Sequence, residues 1–216
     1  LMIGNPGMAF MAVPIWTVVY HGFYRWIPDD SVMANNAVHA LLVFFFSVIA
    51  TSALFVTLTA LGVGWLVMVK TQSTWRALLG VFLYAFGSIA FFHATTLSQN
   101  TAVAFCIFFA FVLLFFNNES AVLKREWRLG AIGLLLGTGV LFDFSALPFV
   151  IFLIPALFYE LRASNVRQRI IFGVGFSVPI ILLMSYLKVS WGNWLLPPQL
   201  YMPGDGTVEN HLKIPN

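Results

Sequence analysis

The chain has 216 residues, of which 60% are hydrophobic and only 9% are charged. Soluble domains are nearer half apolar and a quarter charged, so these few charges could not cover a globular surface. The composition therefore predicts a protein whose solvent is lipid. The net charge is only +3 and the basic residues lie in short loops, which argues against a nucleic-acid partner. Cys106 is the only cysteine, which excludes an internal disulfide.

The first apolar segment, Met8–Trp26, contains Pro14, His21 and Arg25. Hydropathy alone permits either a membrane span or a helix lying along the membrane surface. Aromatic residues are frequent in interfacial helices, and the Trp and Tyr residues of this segment are Trp16, Tyr20, Tyr24 and Trp26. We therefore favour a juxtamembrane helix at the external interface.

Stretches without Asp, Glu, Lys or Arg mark the predicted membrane spans. A hydrocarbon core of about 30 Å requires roughly 20 helical residues. The stretch 31–69 predicts one long helix that starts after Asn36 and ends at Lys70. The stretch 77–118 is long enough for two helices joined by a polar turn at 95–100, and 170–187 predicts one more, with Pro179 as a kink.

The remaining apolar stretch, 129–159, is interrupted by Asp143 and Pro148. It could form one tilted span or a hairpin of two short helices. Eight of the eleven Lys and Arg residues fall in the loops 70–76, 118–128 and 160–169. Positively charged loops stay cytoplasmic, and only a hairpin places all three loops on that side. The hairpin puts Asp143 at the opposite, external surface.

The predicted fold is therefore all-α: a polytopic membrane protein with about six membrane helices, two of them forming the short hairpin. The N-terminal juxtamembrane helix precedes them. Residues 1–190 form the transmembrane module, and residues 191–216 form an external polar tail that begins a longer loop or domain. We expect the chain to be part of a longer protein.

Four motifs run through the chain in a recognisable order: GNPGMAFMAVP at 4–14, LYAFGSIAF at 83–91, SQNTA at 98–102, and the segment 134–148, which includes LFDFSA. They resemble, in turn, the stretches K-x-P-G-x-S-x-L-A-x-P, L-Y-A-L-G-T-x-A-F, G-H-A-L-A and G-L-L-L-G-x-A-x-L-T-D-Y-x-A. These stretches belong to the bacterial GT-C glycosyltransferases, relatives of the protein O-mannosyltransferases and the lipid A aminoarabinose transferase. The resemblance covers roughly residues 4–190.

The resemblance implies an enzyme of the bacterial inner membrane. Such an enzyme transfers a sugar, with inversion, from a polyprenyl-phosphate donor to an acceptor at the external face, with a divalent metal or another cation on the leaving phosphate. The family's catalytic base would precede Leu1, so no catalytic residue is assigned in this chain. The candidate substrate-binding residues are Asp143, Asn5, Asn100 and Gln99. Asn5 stands where the family usually has a lysine that meets the carrier phosphate.

Asp143 has two interpretations. An ionisable residue between two apolar segments is a functional candidate by default. Alternatively, the carboxylate sits at the water interface and caps the second arm of the hairpin near Ser145. Asp29 and Asp30 likewise form either a solvated turn or a carboxylate pair that binds a divalent metal.

His39 and His93 fall near the external ends of their predicted helices. Two imidazoles at matching depth can ligate haem or chlorophyll, although membrane histidines more often hydrogen-bond to neighbouring helices. The pair belongs to a second functional hypothesis, a non-catalytic membrane subunit that packs against protein partners in a larger, pigment- or haem-containing complex. Asn5 also favours it. No inverted repeat points to a transporter, and Gly133 and Gly137 predict a close helix contact.

Overall fold

The computed structural model describes residues 45–96, 98–116, 124–192 and 194, with isolated helical positions at Val13, Pro14, Thr17, Val18 and His21. The described residues form helices and turns and include no strand, which confirms the all-α prediction. The predicted interfacial helix at Met8–Trp26 is thus described at only five positions. The rest of this segment and the tail beyond Trp194 fall outside the described residues, so the interfacial helix and the external tail stay predictions.

The helices follow one another with short connections. The first runs over Phe45–Thr71 and includes a π-helical segment, Ile49–Ala53, before α1. In chain order the elements are α1 (Leu54–Thr71), α2 (Thr74–Gly87), α3 (Ala90–Ala94), α4 (Gln99–Phe115), α5 (Arg125–Phe142), a 3-10 turn (Phe144–Ala146), α6 (Leu147–Arg162) and α7 (Val166–Trp191).

Local sequence explains several of the helix ends. Gln72 adopts a left-handed conformation (φ 51°) and closes α1 by donating its backbone N–H to the Met68 carbonyl at 2.8 Å. Asn165 starts α7 with a capping box, in which its side chain accepts from the Gln168 backbone and the Gln168 side chain accepts from the Asn165 backbone. Gly192 (φ 72°) ends the same helix.

Within the part of the chain that the structure describes, three helices are long and apolar enough to cross a membrane: Phe45–Thr71, Phe144–Arg162 and Val166–Ser190. This is fewer than the predicted six. The others fall short for physical reasons, because α2 has 14 residues, α4 has 17, and α5 opens with the charged sequence Arg-Glu-Trp-Arg. The chain also breaks at Ser88, which the apolar pattern of 77–118 does not reveal.

The chain reverses within 129–159 as the hairpin prediction requires, but the second arm is not short, because Phe144–Arg162 is long enough to cross a membrane. Helix α5 ends at Phe142, and α6 returns so that Glu160 in its last turn contacts Arg125 and Arg128 in the first turn of α5. Between these ends, apolar side chains of the two helices meet in a buried cluster that includes Leu129, Ile132, Leu136, Leu153 and Leu157.

Helices α5 and α7 make the closest contact in the bundle. A Cβ on Gly133 would lie 2.4 Å from the Phe172 carbonyl oxygen, and one on Gly137 would lie 2.5 Å from the Phe176 carbonyl oxygen. On the other side, a Cβ on Gly175 would lie 2.5 Å from the Gly130 carbonyl oxygen. The two backbones therefore touch through small residues, which confirms the predicted close packing at Gly133 and Gly137.

The bundle has a basic end and a junction end. At the basic end, α1 finishes with Lys70 over the Phe116 ring of the α4 terminus at 5.0 Å, and the Glu126–Arg167 pair joins the starts of α5 and α7. The junction end contains Ser98, Asp143 and the π-helical segment. The described parts of the loops 70–76, 118–128 and 160–169 all lie at the basic end, as the hairpin requires.

The glycine contact makes a prediction with an internal control. Gly133→Ala should lower the free energy of unfolding by about 1–3 kcal/mol, because the new methyl group must push α5 away from the α7 backbone. Gly173→Ala places its methyl group in open space and should be neutral or stabilise the helix by up to about 1 kcal/mol. Thermal unfolding of both variants in one detergent measures this, and equal shifts would contradict the packing.

The separation of the two ends predicts a labelling pattern. In a Cys106→Ala background, Ser73→Cys and Ala163→Cys should react with a membrane-impermeant thiol reagent only after cells are permeabilised. Ser145→Cys, which is exposed at the junction end, should react in intact cells. If Ser73→Cys and Ser145→Cys reacted from the same side of the membrane, the prediction that the two ends of the bundle face opposite sides would be wrong.

Candidate functional site

Asp143 stops α5 and starts the next helical turn. Its backbone is extended (φ −158°, ψ 139°), so the α-helix cannot continue through it. One carboxylate oxygen, Oδ1, accepts a hydrogen bond from the Ser145 backbone N–H at 2.8 Å, and the Asp143 carbonyl accepts one from the Ala146 N–H at 3.0 Å. The structure therefore confirms that the Asp143 side chain caps the turn that begins the second arm of the hairpin.

Gln99 holds the second carboxylate oxygen. The side-chain amide of Gln99, at the start of α4, donates to Asp143 Oδ2. The predicted proximity of Asp143 to the 95–100 turn is thus observed. Asp143 is only 8% exposed, so the carboxylate is enclosed by protein at the end of the bundle rather than presented to lipid.

Ser52 adds a third helix to this junction. Its hydroxyl accepts the Ser98 backbone N–H at 3.0 Å, across 46 residues of chain, and the residue is fully buried. Ser52 lies in the π-helical segment Ile49–Ala53, and π-turns within α-helices recur at functional sites. Thr101 donates to the Ser98 carbonyl at 2.8 Å. We call Ser52, Ser98, Gln99, Thr101 and Asp143 the junction cluster.

The junction cluster contains one carboxylate, that of Asp143, and no Lys or Arg of the described residues forms an ion pair with it. The ion pairs among the described residues involve Glu126 and Glu160, at the basic end. Uncharged donors from Gln99 and Ser145 balance the Asp143 carboxylate instead. A carboxylate oxygen has two lone-pair sites, and the structure shows one protein donor on each oxygen. Each oxygen therefore keeps a lone pair that no donor among the described residues occupies.

The other predicted site residues are placed less centrally or lie outside the described residues. Asn100 follows Gln99 on α4, but its side chain is exposed. His93 is half-buried on α3, with its ring edge-on to Phe92 at 5.7 Å. Asn5, Asp29, Asp30 and His39 fall outside the described residues, so the carboxylate pair and the histidine pair stay predictions. Among the described residues, no three His, Cys, Asp or Glu side chains form a metal-binding group.

The sequence analysis did not identify Ser52. Its only signal is the polar pair Thr51-Ser52 inside an apolar stretch, which is equally typical of hydroxyls that bond to their own helix. Thr51 does this, donating to the Ser47 carbonyl.

Three of the four motifs reach the junction end. The second passes from α2 through the break at Ser88 into α3, the third begins α4 at Gln99, and the fourth turns the hairpin at Asp143. The first motif, at 4–14, lies almost wholly outside the described residues. No family model, no curated protein and no solved structure matches the chain. The GT-C resemblance therefore rests on the motifs alone.

The Ser52–Ser98 bond predicts a stability difference between two serines. Ser52→Ala should lower the free energy of unfolding by about 1–3 kcal/mol, because the Ser98 N–H loses its partner in a part-buried position. Ser145→Ala removes an exposed hydroxyl and keeps the backbone N–H that Asp143 accepts, so it should be close to neutral. Chemical unfolding in mixed micelles compares them. Equal stability of the two variants would show that the Ser52–Ser98 hydrogen bond does not stabilise the junction cluster.

Proposed function

We propose that this chain is the membrane module of a GT-C-like glycosyltransferase and that its junction cluster binds the sugar of a polyprenyl-phosphate donor at the external membrane face. The observation that carries the proposal is the enclosed Asp143 carboxylate, which Gln99 and Ser145 orient and which retains free lone pairs. A charged group in a membrane helix bundle is costly, and ligand binding is a reason to keep it.

The proposal includes six membrane helices. In it, Phe45–Thr71, Phe144–Arg162 and α7, which are long and apolar enough to span, cross fully, and α2, α4 and α5 cross beside them. At 1.5 Å per residue α4 is about 26 Å long and α2 about 21 Å, so both are short for the hydrocarbon core. The bilayer is then thinner around the junction end, which brings the cluster close to external water and to lipid-linked sugars. The basic end faces the cytoplasm of a bacterial inner membrane.

Within this proposal each described residue has a limited role. Asp143 accepts a hydrogen bond from a sugar hydroxyl, and Gln99 fixes the carboxylate against α4. The side-chain amide of Asn100, which is exposed at the same turn, donates a hydrogen bond to the phosphate of the polyprenyl-phosphate sugar. We give Asp143 the role of binding and orienting the sugar, and we assign no catalytic base among the described residues. The base that activates the acceptor hydroxyl lies elsewhere in the protein.

A divalent metal or another cation would neutralise the leaving phosphate, with Asp29 and Asp30 as its candidate ligands. Asn5 would meet that phosphate with an amide in place of the usual charge.

A second candidate function is a non-catalytic subunit of a larger membrane complex. Two observations favour it: the capping bond from Ser145 gives Asp143 a structural task, and the outward face of α6 is strongly apolar, with Phe152 79% exposed. Such a face can pack against a helix of a partner protein as well as against lipid. Under this hypothesis His93 could face a pigment or haem held between subunits.

The donor-binding test uses the full-length protein in nanodiscs and a photoactivatable polyprenyl-phosphate sugar. Asp143→Asn should reduce specific crosslinking about tenfold or more, because it removes a charge-assisted hydrogen bond worth about 1.5–3 kcal/mol. Glu126→Gln is the matched control, since it neutralises a carboxylate at the basic end. An unlabelled donor should compete for the wild-type signal.

Two outcomes would contradict the proposal: crosslinking that is equal in Asp143→Asn and Glu126→Gln, or a wild-type signal that the unlabelled donor does not reduce. Co-purification of a stoichiometric partner together with either outcome would instead support the subunit hypothesis.

A further inference from the structure

The basic end collects far more positive than negative charge from three helices. Among the described residues at the starts of α5 and α7 and the end of α6, the cations are Lys124, Arg125, Arg128, Arg162, Arg167 and Arg169, and the anions are Glu126 and Glu160. Six cations against two anions leave an excess of four positive charges in this described set, in which Lys70 and Arg76 of the neighbouring helices are not counted. Loop charge of this kind orients membrane proteins, but orientation alone does not require a particular side-chain arrangement.

Two arginines share a single carboxylate oxygen at this end. The buried Arg128 donates through Nη2 to Glu160 Oε1, and Arg125 donates through Nε to the same oxygen at 3.2 Å. Arg125 also donates through Nη2 to the Glu160 carbonyl at 3.3 Å. Arg128 alone can neutralise Glu160, so Arg125, which is 38% exposed, can turn toward another anion without leaving the part-buried carboxylate unpaired.

Arg128 itself is incompletely satisfied. Its Nε is buried and has no hydrogen-bond partner, which is unfavourable for a charged donor. The buried Arg128 is thus the arginine that depends on Glu160, whereas the more exposed Arg125 does not.

The start of α5 adds backbone donors to the same place. The Arg128 N–H is bonded to the Lys124 carbonyl at 3.1 Å, and no side chain caps the helix start. The N–H groups of the first turn, at Arg125, Glu126 and Trp127, are therefore free of intrahelical partners. Together with the helix dipole they favour a phosphate-like anion.

Large apolar side chains close to these cations along the chain are exposed. Trp127 is 70% exposed one residue from Arg128, and Tyr159 is 77% exposed beside Glu160. Val166 and Ile170 at the start of α7 are also exposed. A ligand that touches both the arginines and this surface must have an anionic head and an apolar body.

We propose that the basic end binds one anionic phospholipid. Its phosphate is held by Arg125, Lys124 and the first-turn N–H groups of α5, and its acyl chains lie against the outward apolar side chains of α6 and α7. Trp127 marks the headgroup level, where tryptophan is enriched. This inference is independent of the proposed glycosyl transfer, which uses the opposite end of the bundle.

The test measures lipid retention by the full-length protein in detergent with native mass spectrometry. Phosphatidylglycerol and phosphatidylcholine with identical acyl chains are the probes. The wild type should retain one phosphatidylglycerol in preference to phosphatidylcholine. Arg125→Gln should weaken that binding about tenfold, because it removes a charge-assisted contact of about 1.5 kcal/mol, and Lys124→Gln should weaken it less.

Arg76→Gln is the matched control: it removes the same charge from an exposed arginine of α2 and should leave lipid retention unchanged. Equal retention of the two lipids would overturn the proposal, as would an Arg76→Gln effect as large as that of Arg125→Gln, which would indicate bulk charge. Displacement of the lipid by inorganic phosphate would also overturn it, because the site would then be one for free phosphate.

Discussion

Asp143 interrupts what would otherwise be an apolar helix from α5 through α6, and its carboxylate satisfies the groups that the interruption exposes. One oxygen caps the new turn at Ser145, and the other holds Gln99 at the start of α4. A helix that ends leaves backbone groups without intrahelical partners, and these two bonds act at the point where the chain reverses. The reversal returns Glu160 to Arg125 and thereby separates an acidic end of the bundle from a basic one.

Helix packing fixes the position of this reversal. Backbone contacts at Gly133 and Gly137 hold α5 directly against α7, whereas α6 meets α5 through longer side chains such as Leu153 and Leu157. A rigid α5–α7 pair therefore supports the carboxylate, and α4 approaches it from the other side with Cys106 near Gly139. A substitution that loosens the contact between α5 and α7 is for this reason also expected to disturb the geometry of the junction cluster.

Much of this arrangement could be predicted from the sequence, because charge placement is decisive in an apolar chain. The break at Asp143, the end of α1 near Lys70 and the proximity of Gln99 all follow from where polar residues interrupt apolar stretches. The Ser52–Ser98 bond could not be predicted, since it depends on how two helices 46 residues apart are placed. Nor could the early end of α2, because nothing in the apolar pattern distinguishes Ser88 from a residue within a span.

The central claim is that the Asp143–Gln99 bond joins α4 to the hairpin. A double-mutant cycle on the free energy of unfolding, with Asp143→Ala, Gln99→Ala and the double variant, tests it most directly. The account predicts a coupling of about 1.5–3 kcal/mol, the value of a hydrogen bond to a charged group. Additivity of the two substitutions to within about 0.5 kcal/mol would contradict it.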